Sequence, residues 1–300
     1  MIRVIKTDLF RLFKSKSFYV FPLFVILFLF LQSVLSVSSV QSETGEDNEG
    51  VNVGIYKADQ ETDGVRINAE IKSDTGEAAR EELNVKMSIP GFLGSLTDEL
   101  VLFFVGIILV IFCTAETRAG FIKNAAGAVS NRAYMPLSKV LVGIVMMIMY
   151  VIEYAVLYGL IQVLVSVFSG KSIEFVHFKQ GEAGEFFSYL FVCVLIHIAM
   201  IVIIVMVHEL TYSRALGIVF AFALTSGLVE KFLEGGVYLL RHFFGILQDF
   251  DIAKYELLTN MCSGYDSEAY HGQLMVVMSV IYIAIFMFLA IFISRKKEIR

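Results

Sequence analysis

Few side chains in this sequence are of a type and at a spacing that could do chemistry. Glu153 lies deep in a long apolar run, with Tyr150, Tyr154, Tyr158 and Gln162 along a slowly drifting face of the same helix. His197 is the one ionisable group in the middle of a second such run. A charge at the bilayer centre costs about 2.5–3.5 kcal/mol on insertion scales, so both groups should face protein or water, and together they make a candidate pair. Two readings of Glu153, Tyr154, Tyr158 and His197 stay open. They line a translocation path, or Glu153 is protonated and hydrogen-bonded to tyrosine between packed helices. Nothing indicates a metal site: zincin-type sites set two histidines at i and i+4 beside a glutamate. Here His197 and His208 are eleven apart, and "HELTYSR" brings no second histidine. Cys113, Cys193 and Cys262 follow neither disulfide nor metal spacing. "SGKS" at 169–172 lacks the first glycine of a phosphate-binding loop, Val165 standing in its place. The chain is expected to hold no metal, no cofactor and no ATPase, and not to be an enzyme.

The elements that must position these residues follow from composition. The 300 residues are 57% hydrophobic and 18% charged, with three prolines, and the apolar residues come in long blocks. A helix needs about 20 apolar residues to cross about 30 Å of hydrocarbon. The fold class expected is an all-α polytopic membrane protein with six transmembrane helices, at 18–37, 98–115, 140–168, 187–207, 215–230 and 273–294. The first run exceeds the length of a signal-peptide core, so it reads as an uncleaved span. Segments 1–17, 116–139, 208–214 and 295–300 carry fourteen Lys/Arg against four acids, while the alternate loops carry ten Lys/Arg and 24 acids. By the positive-inside rule both termini and the 116–139 segment are cytoplasmic, in a plasma membrane.

Residues 1–17 form an amphipathic interfacial helix. Ile2, Ile5, Leu9, Leu12 and Phe13 make an apolar stripe, with Arg3, Asp8, Arg11 and Lys14 on the other side and Lys6 at the border. In the acidic outer loop 38–97, "VNVGIYKAD", "VRINAEIK" and "LNVKMSI" alternate loosely, which leaves a small β-containing subdomain or a loosely ordered loop. "GGVYLLRHFFGILQDF", within 231–272, is too short to span and reads as an outer re-entrant or interfacial segment before the last span. The tail 295–300 is cytoplasmic.

Between spans two and three lies "ETRAGFIKNAAGAVSNRAYMPLSK". Phe121, Ile122, Ala125, Ala126 and Val129 recur at helical spacing, while Arg118, Lys123 and Asn124 point elsewhere. Gly120 and Gly127 weaken such a helix by about 1 kcal/mol each, which suits close seating in a protein groove better than a plain connector. With the "TDLFRLFKSKSFY" that leads into span one, this segment resembles the permease subunit of a type-2 ATP-binding cassette (ABC) exporter. The matching positions are Glu116, Gly120, Phe121, Ile122, Lys123, Asn124, Arg132 and Lys139. The likeness covers nearly the whole chain and is greatest to small Gram-positive peptide or antimicrobial exporters.

That resemblance implies a bacterial permease that works as a homodimer or beside a sister permease, above two cytoplasmic ABC ATPase subunits. Those subunits would bind the ATP and Mg; this chain would bind no nucleic acid. The coupling contacts implied are Glu116, Arg118, Gly120, Phe121, Ile122, Lys123, Asn124 and Arg132, with Phe121 the buried anchor. Two rival readings remain: an immunity or sensor protein binding peptides through its acidic outer loop, and an ion-coupled secondary transporter using Glu153 and His197.

Overall fold

The structure is a computed structural model that describes residues 2–29, 31, 85–118, 133–170, 172–179, 181–244, 250–265, 267 and 270–296. Helix α1 (Ile2–Lys14) is followed by a 3-10 turn, Lys16–Tyr19, that runs into α2 (residues 20–29). Strand β1 (Val85–Ser88) leads into the short helix α3 (Ile89–Thr97), then α4 (Glu99–Arg118) and the 36-residue α5 (Tyr134–Ser169). Strand β2 (Ile173–Val176) precedes α6 (Glu182–Thr211), α7 (Arg214–Thr225) and α8 (Leu228–Phe244). A 3-10 turn, Ile252–Tyr255, leads to the one-turn α9 (Leu257–Cys262) and then α10 (Gly272–Lys296).

Among the described residues, three helices, α5, α6 and α10, are long and apolar enough to cross a bilayer alone. At 1.5 Å per residue, α5 is about 54 Å long and overshoots a hydrocarbon core of about 30 Å. Three more candidates are bent pairs: α1 with α2 at 60°, α3 with α4 at 45°, and α7 with α8 at 70°. α6 is the central helix, with 67% of its most apolar window buried, against 11% for α10. α10 therefore turns Val277, Ile285, Phe288 and Phe292 outward, where lipid rather than water must meet them.

Two ends of the bundle can be told apart. At one, α1 packs across the start of α5, close to the ends of α4 and α6 and the start of α7. At the other, β1 pairs in parallel with β2, Val85 opposite Ile173 and Ser88 opposite Val176, beside α3, α9 and the start of α6. β1 coincides with the "LNVKMSI" stretch, and its partner comes from the connection after α5. The other two alternating stretches lie outside the described residues. Parallel pairing needs a long crossover, and here α3, α4 and α5 all lie between the two strands.

Two sequence expectations are corrected. The fifth span, 215–230, is not one helix: α7 ends at Thr225, and Leu228–Glu230 already belong to α8. Gly227 sits at φ +71, a conformation that L side chains rarely adopt and that breaks the helix between the two. Asp8 does not lie with the cations on the open side of α1. It is 3% exposed, on the face that buries Leu12, whereas Phe13 is 39% exposed. Asp8 borders the Ile5–Leu12 stripe at 100° per residue, and a hydrogen-bond partner on α5 draws it inward.

The bundle packs tightly enough to read single methyl groups. A Cβ on Gly217 would stand 2.6 Å from Val110 Cγ1, so α7 and α4 touch nearly backbone to side chain at this point. Gly217→Val should destabilise the protein by about 1–3 kcal/mol through overpacking. Gly235→Ala, on α8 with open space around it, should leave stability unchanged or slightly raised. Thermal unfolding in detergent reads both, and equal effects would contradict the packing described.

Candidate functional site

At the α1 end, Lys139 and Glu209 form a buried ion pair, each side chain 2% exposed. Lys139 is carried in the second turn of α5, and Glu209 in the last turn of α6. Tyr212 Oη donates to the other carboxylate oxygen at 3.2 Å. The backbone puts Tyr212 there by ending α6 in a left-handed cap at φ 50, its N–H donating to His208 O at 2.8 Å. Ser213 then caps α7, its Oγ accepting from Leu216 N. Beside the pair, Ser138 Oγ donates to Asp8 Oδ2 at 2.5 Å and so pins α1 to the first turns of α5. Arg11 Nη1 lies 4.0 Å from Asp8 Oδ1. Three helices distant in sequence are thus joined by two adjacent polar contacts inside an apolar bundle.

Such a pair is strong only while both partners are present, because each charge has lost its water. Lys139→Met or Glu209→Leu alone should destabilise by about 3–5 kcal/mol, while the two together should recover most of the loss. A double-mutant cycle of thermal unfolding measures the coupling, and additive losses would contradict the pairing.

The polar residues singled out within the spans have identifiable neighbours of their own. Tyr150 Oη donates to Phe18 O at 2.9 Å, and its ring stacks on Phe18 and Phe21 at 5.3 and 4.1 Å. That makes it the strut holding the turn before α2 against α5. Tyr154 and Tyr158 stack on each other and are covered by α3, where Gly91 and Gly94 admit their hydroxyl ends. A Cβ at Gly91 would lie 2.5 Å from Tyr158 Oη, so a larger residue there would push the Tyr158 ring aside. α3 is held in place by its own cap, Ser88 Oγ accepting from Gly91 N at 3.1 Å, with Pro90 in the first turn. Glu153 is partly buried, its Oε2 sealed without a hydrogen-bond partner among the described residues. His197 is buried in α6 with Nδ1 2.8 Å from Cys193 O, and its Nε2 has no partner among the described residues. No hydrogen bond or ion pair joins it to Glu153.

Of the expected coupling residues, Glu116 and Arg118 lie in the last turn of α4. Gly120, Phe121, Ile122, Lys123, Asn124 and Arg132 fall outside the described residues. Among the described residues, no group of three or more His, Cys, Asp or Glu is placed to hold a metal. Sequence reasoning missed both the Lys139–Glu209 pair and the Asp8–Ser138 contact. A signal was present: a lysine opening one apolar run and a glutamate closing another sit at the same depth if the runs are antiparallel.

At the opposite end the polar groups knit the loops. Glu230 accepts from Leu258 N at 2.8 Å and from Thr259 N at 3.2 Å, supplying the start of α9 with a carboxylate from α8. Tyr189 Oη donates to Met261 O, and Tyr265 Oη to Glu182 Oε1 at 2.5 Å. Cys262 is exposed as a residue, yet its Sγ lies 3.8 Å from Glu99 Oε1. Partial withdrawal from water, with the Glu99 and Asp98 carboxylates adding to it, pushes the thiol up to about 12. Because the thiolate is the nucleophile, maleimide should modify Cys262 slowly at pH 8. Glu99→Gln removes a negative neighbour, lowers that pKa and should speed the reaction several-fold; an unchanged rate would contradict the contact.

No protein-family model matches this chain, and no curated protein matches it. What fold and composition define is the class: a mostly helical protein of the multi-pass membrane kind, with three to six candidate membrane-crossing helices among the described residues.

Proposed function

We propose that the chain is the permease subunit of an ABC exporter of the type-2 class, with six spans, cytoplasmic termini and a separate ATPase that grips residues 116–139. The observation that carries this reading is the joint between α1, α5 and α6. Segment 119–132 connects the end of α4 to the start of α5, so both its anchor points lie at the α1 end of the bundle. A push on that segment reaches Ser138 and Lys139 within two turns of α5, and these residues are bonded to Asp8 of α1 and Glu209 of α6. A force delivered there moves three helices together and does not bend one. The excess of Lys/Arg on segments at this end supports a cytoplasmic placement. The chain would act in the plasma membrane of a bacterium, as a dimer or beside a sister permease. Its substrate would be an amphipathic peptide or antimicrobial, because the opposite face carries the acidic loops and acidic surfaces attract cationic peptides. ATP and Mg would be bound by the two ATPase subunits.

In this reading Phe121 is the anchor in the ATPase groove, with Glu116, Arg118, Lys123, Asn124 and Arg132 as its polar rim. Phe121→Asp should abolish co-purification of the ATPase from the native host while leaving the permease folded. Unaltered association would refute the proposal. The rival, an ion-coupled transporter using Glu153 and His197, predicts transport that survives ATP depletion and is lost in Glu153→Gln. The lack of any bond between those two residues speaks against it.

A further inference from the structure

A cavity of about 290 Å³ opens between the end of α1 and the last turns of α4. It is lined by Arg11, Lys14 and Ser15 on one side and by Ile111, Phe112 and Ala115 on the other. The two walls differ in chemistry. The α4 wall is apolar and continues the outer face of a candidate span, with Ala115 exposed and Ile111 half-buried. The α1 wall offers two cations and a hydroxyl. The Arg11 guanidinium lies over the Phe112 ring, 5.6 Å from its centroid, and 4.0 Å from Asp8, which fixes its position before any ligand arrives. Lys14 Nζ rests 4.6 Å from the Phe10 ring centroid. Ser15 precedes the 3-10 turn Lys16–Tyr19, its hydroxyl oxygen accepts no capping hydrogen bond, and its O–H is a donor on this wall.

We propose that this cavity binds the phosphate headgroup of one anionic phospholipid. Arg11 and Lys14 hold the phosphate, Ser15 donates to it, and an acyl chain lies along Ile111 and Ala115. Charge complementarity selects this occupant: Asp8 offsets one positive charge at the wall, and Lys14, with the neighbouring exposed Lys16, leaves it net positive. A free anion would use only the basic half of the cavity, whereas a lipid uses both walls. Bound lipid would brace α1 against α4 just as Asp8–Ser138 braces it against α5. The inference needs only the membrane class and is independent of the ABC reading, so ATPase association does not bear on it.

Native mass spectrometry of the purified full chain, from nanodiscs of phosphatidylglycerol or phosphatidylcholine, tests it. One phosphatidylglycerol should survive delipidation per chain, and phosphatidylcholine should not. Arg11→Gln with Lys14→Gln should weaken retention by at least about tenfold, given the contribution of each cation near a lipid surface. Arg11→Lys with Lys14→Arg should retain the lipid. Lys231→Gln with Lys254→Gln, which removes the same charge at the opposite end, should also retain it. Equal loss in that control, equal retention of the two lipids, or full displacement by millimolar glycerol phosphate would each overturn the proposal.

Discussion

Two full charges, Lys139 and Glu209, meet where water cannot follow, and much of the geometry at one end of the bundle depends on their staying together. An unpaired charge in that setting costs several kilocalories, so the pair fixes the depth of the start of α5 relative to the end of α6. It also constrains what surrounds it. Tyr212 reaches the second carboxylate oxygen only because α6 ends in a left-handed residue, and the same turn hands the chain to α7. Asp8 and Ser138, one residue from Lys139, extend the joint to α1. The polar contacts are few, and each removes a degree of freedom between helices whose apolar surfaces alone would let them slide.

The opposite end solves a different problem. Short helices and turns in or near a bilayer leave backbone N–H groups that no water can satisfy. Glu230 answers for the start of α9, Asn260 Oδ1 accepts from His271 N, and Tyr189 serves Met261 O. The break between α7 and α8 is accommodated because α9 packs beside it, Leu258 lying 3.7 Å from a Cβ built on Gly227. Tyr150, Tyr154 and Tyr158 of α5 belong to the same economy: they are spent on stacking, on a strut to Phe18 or on the glycine face of α3. Glu153 Oε2 and His197 Nε2 are among the buried polar atoms whose role packing does not explain.

Legibility in the sequence varied with the physics of each feature. The long apolar runs that became α5, α6 and α10 were readable because the hydrophobic thickness of a bilayer sets a length that no soluble element needs. The broken fifth segment was half readable: Gly227 and the short apolar run signalled a weak helix but not a 70° bend. The amphipathic stripe of α1 was visible, yet Asp8 was assigned to the wrong side. Periodicity reports which residues share a face; it does not report that a serine 130 positions later will meet one of them. The proposed pairing of Glu153 with His197 rested on both being polar in apolar runs, and that gives depth without azimuth.

Sequence by itself therefore determined the class, the principal spans and the segregation of charge, because these follow from the transfer free energy of side chains counted along the chain. Tertiary structure alone decided which polar residues meet. It put Lys139 with Glu209, Asp8 with Ser138 and Glu230 with the start of α9, and it gave His197 a backbone partner, Cys193 O, in place of Glu153. The reason is rotational. Hydropathy fixes how deep a residue lies in a helix that crosses a membrane, but only packing against neighbouring helices fixes the direction in which it points.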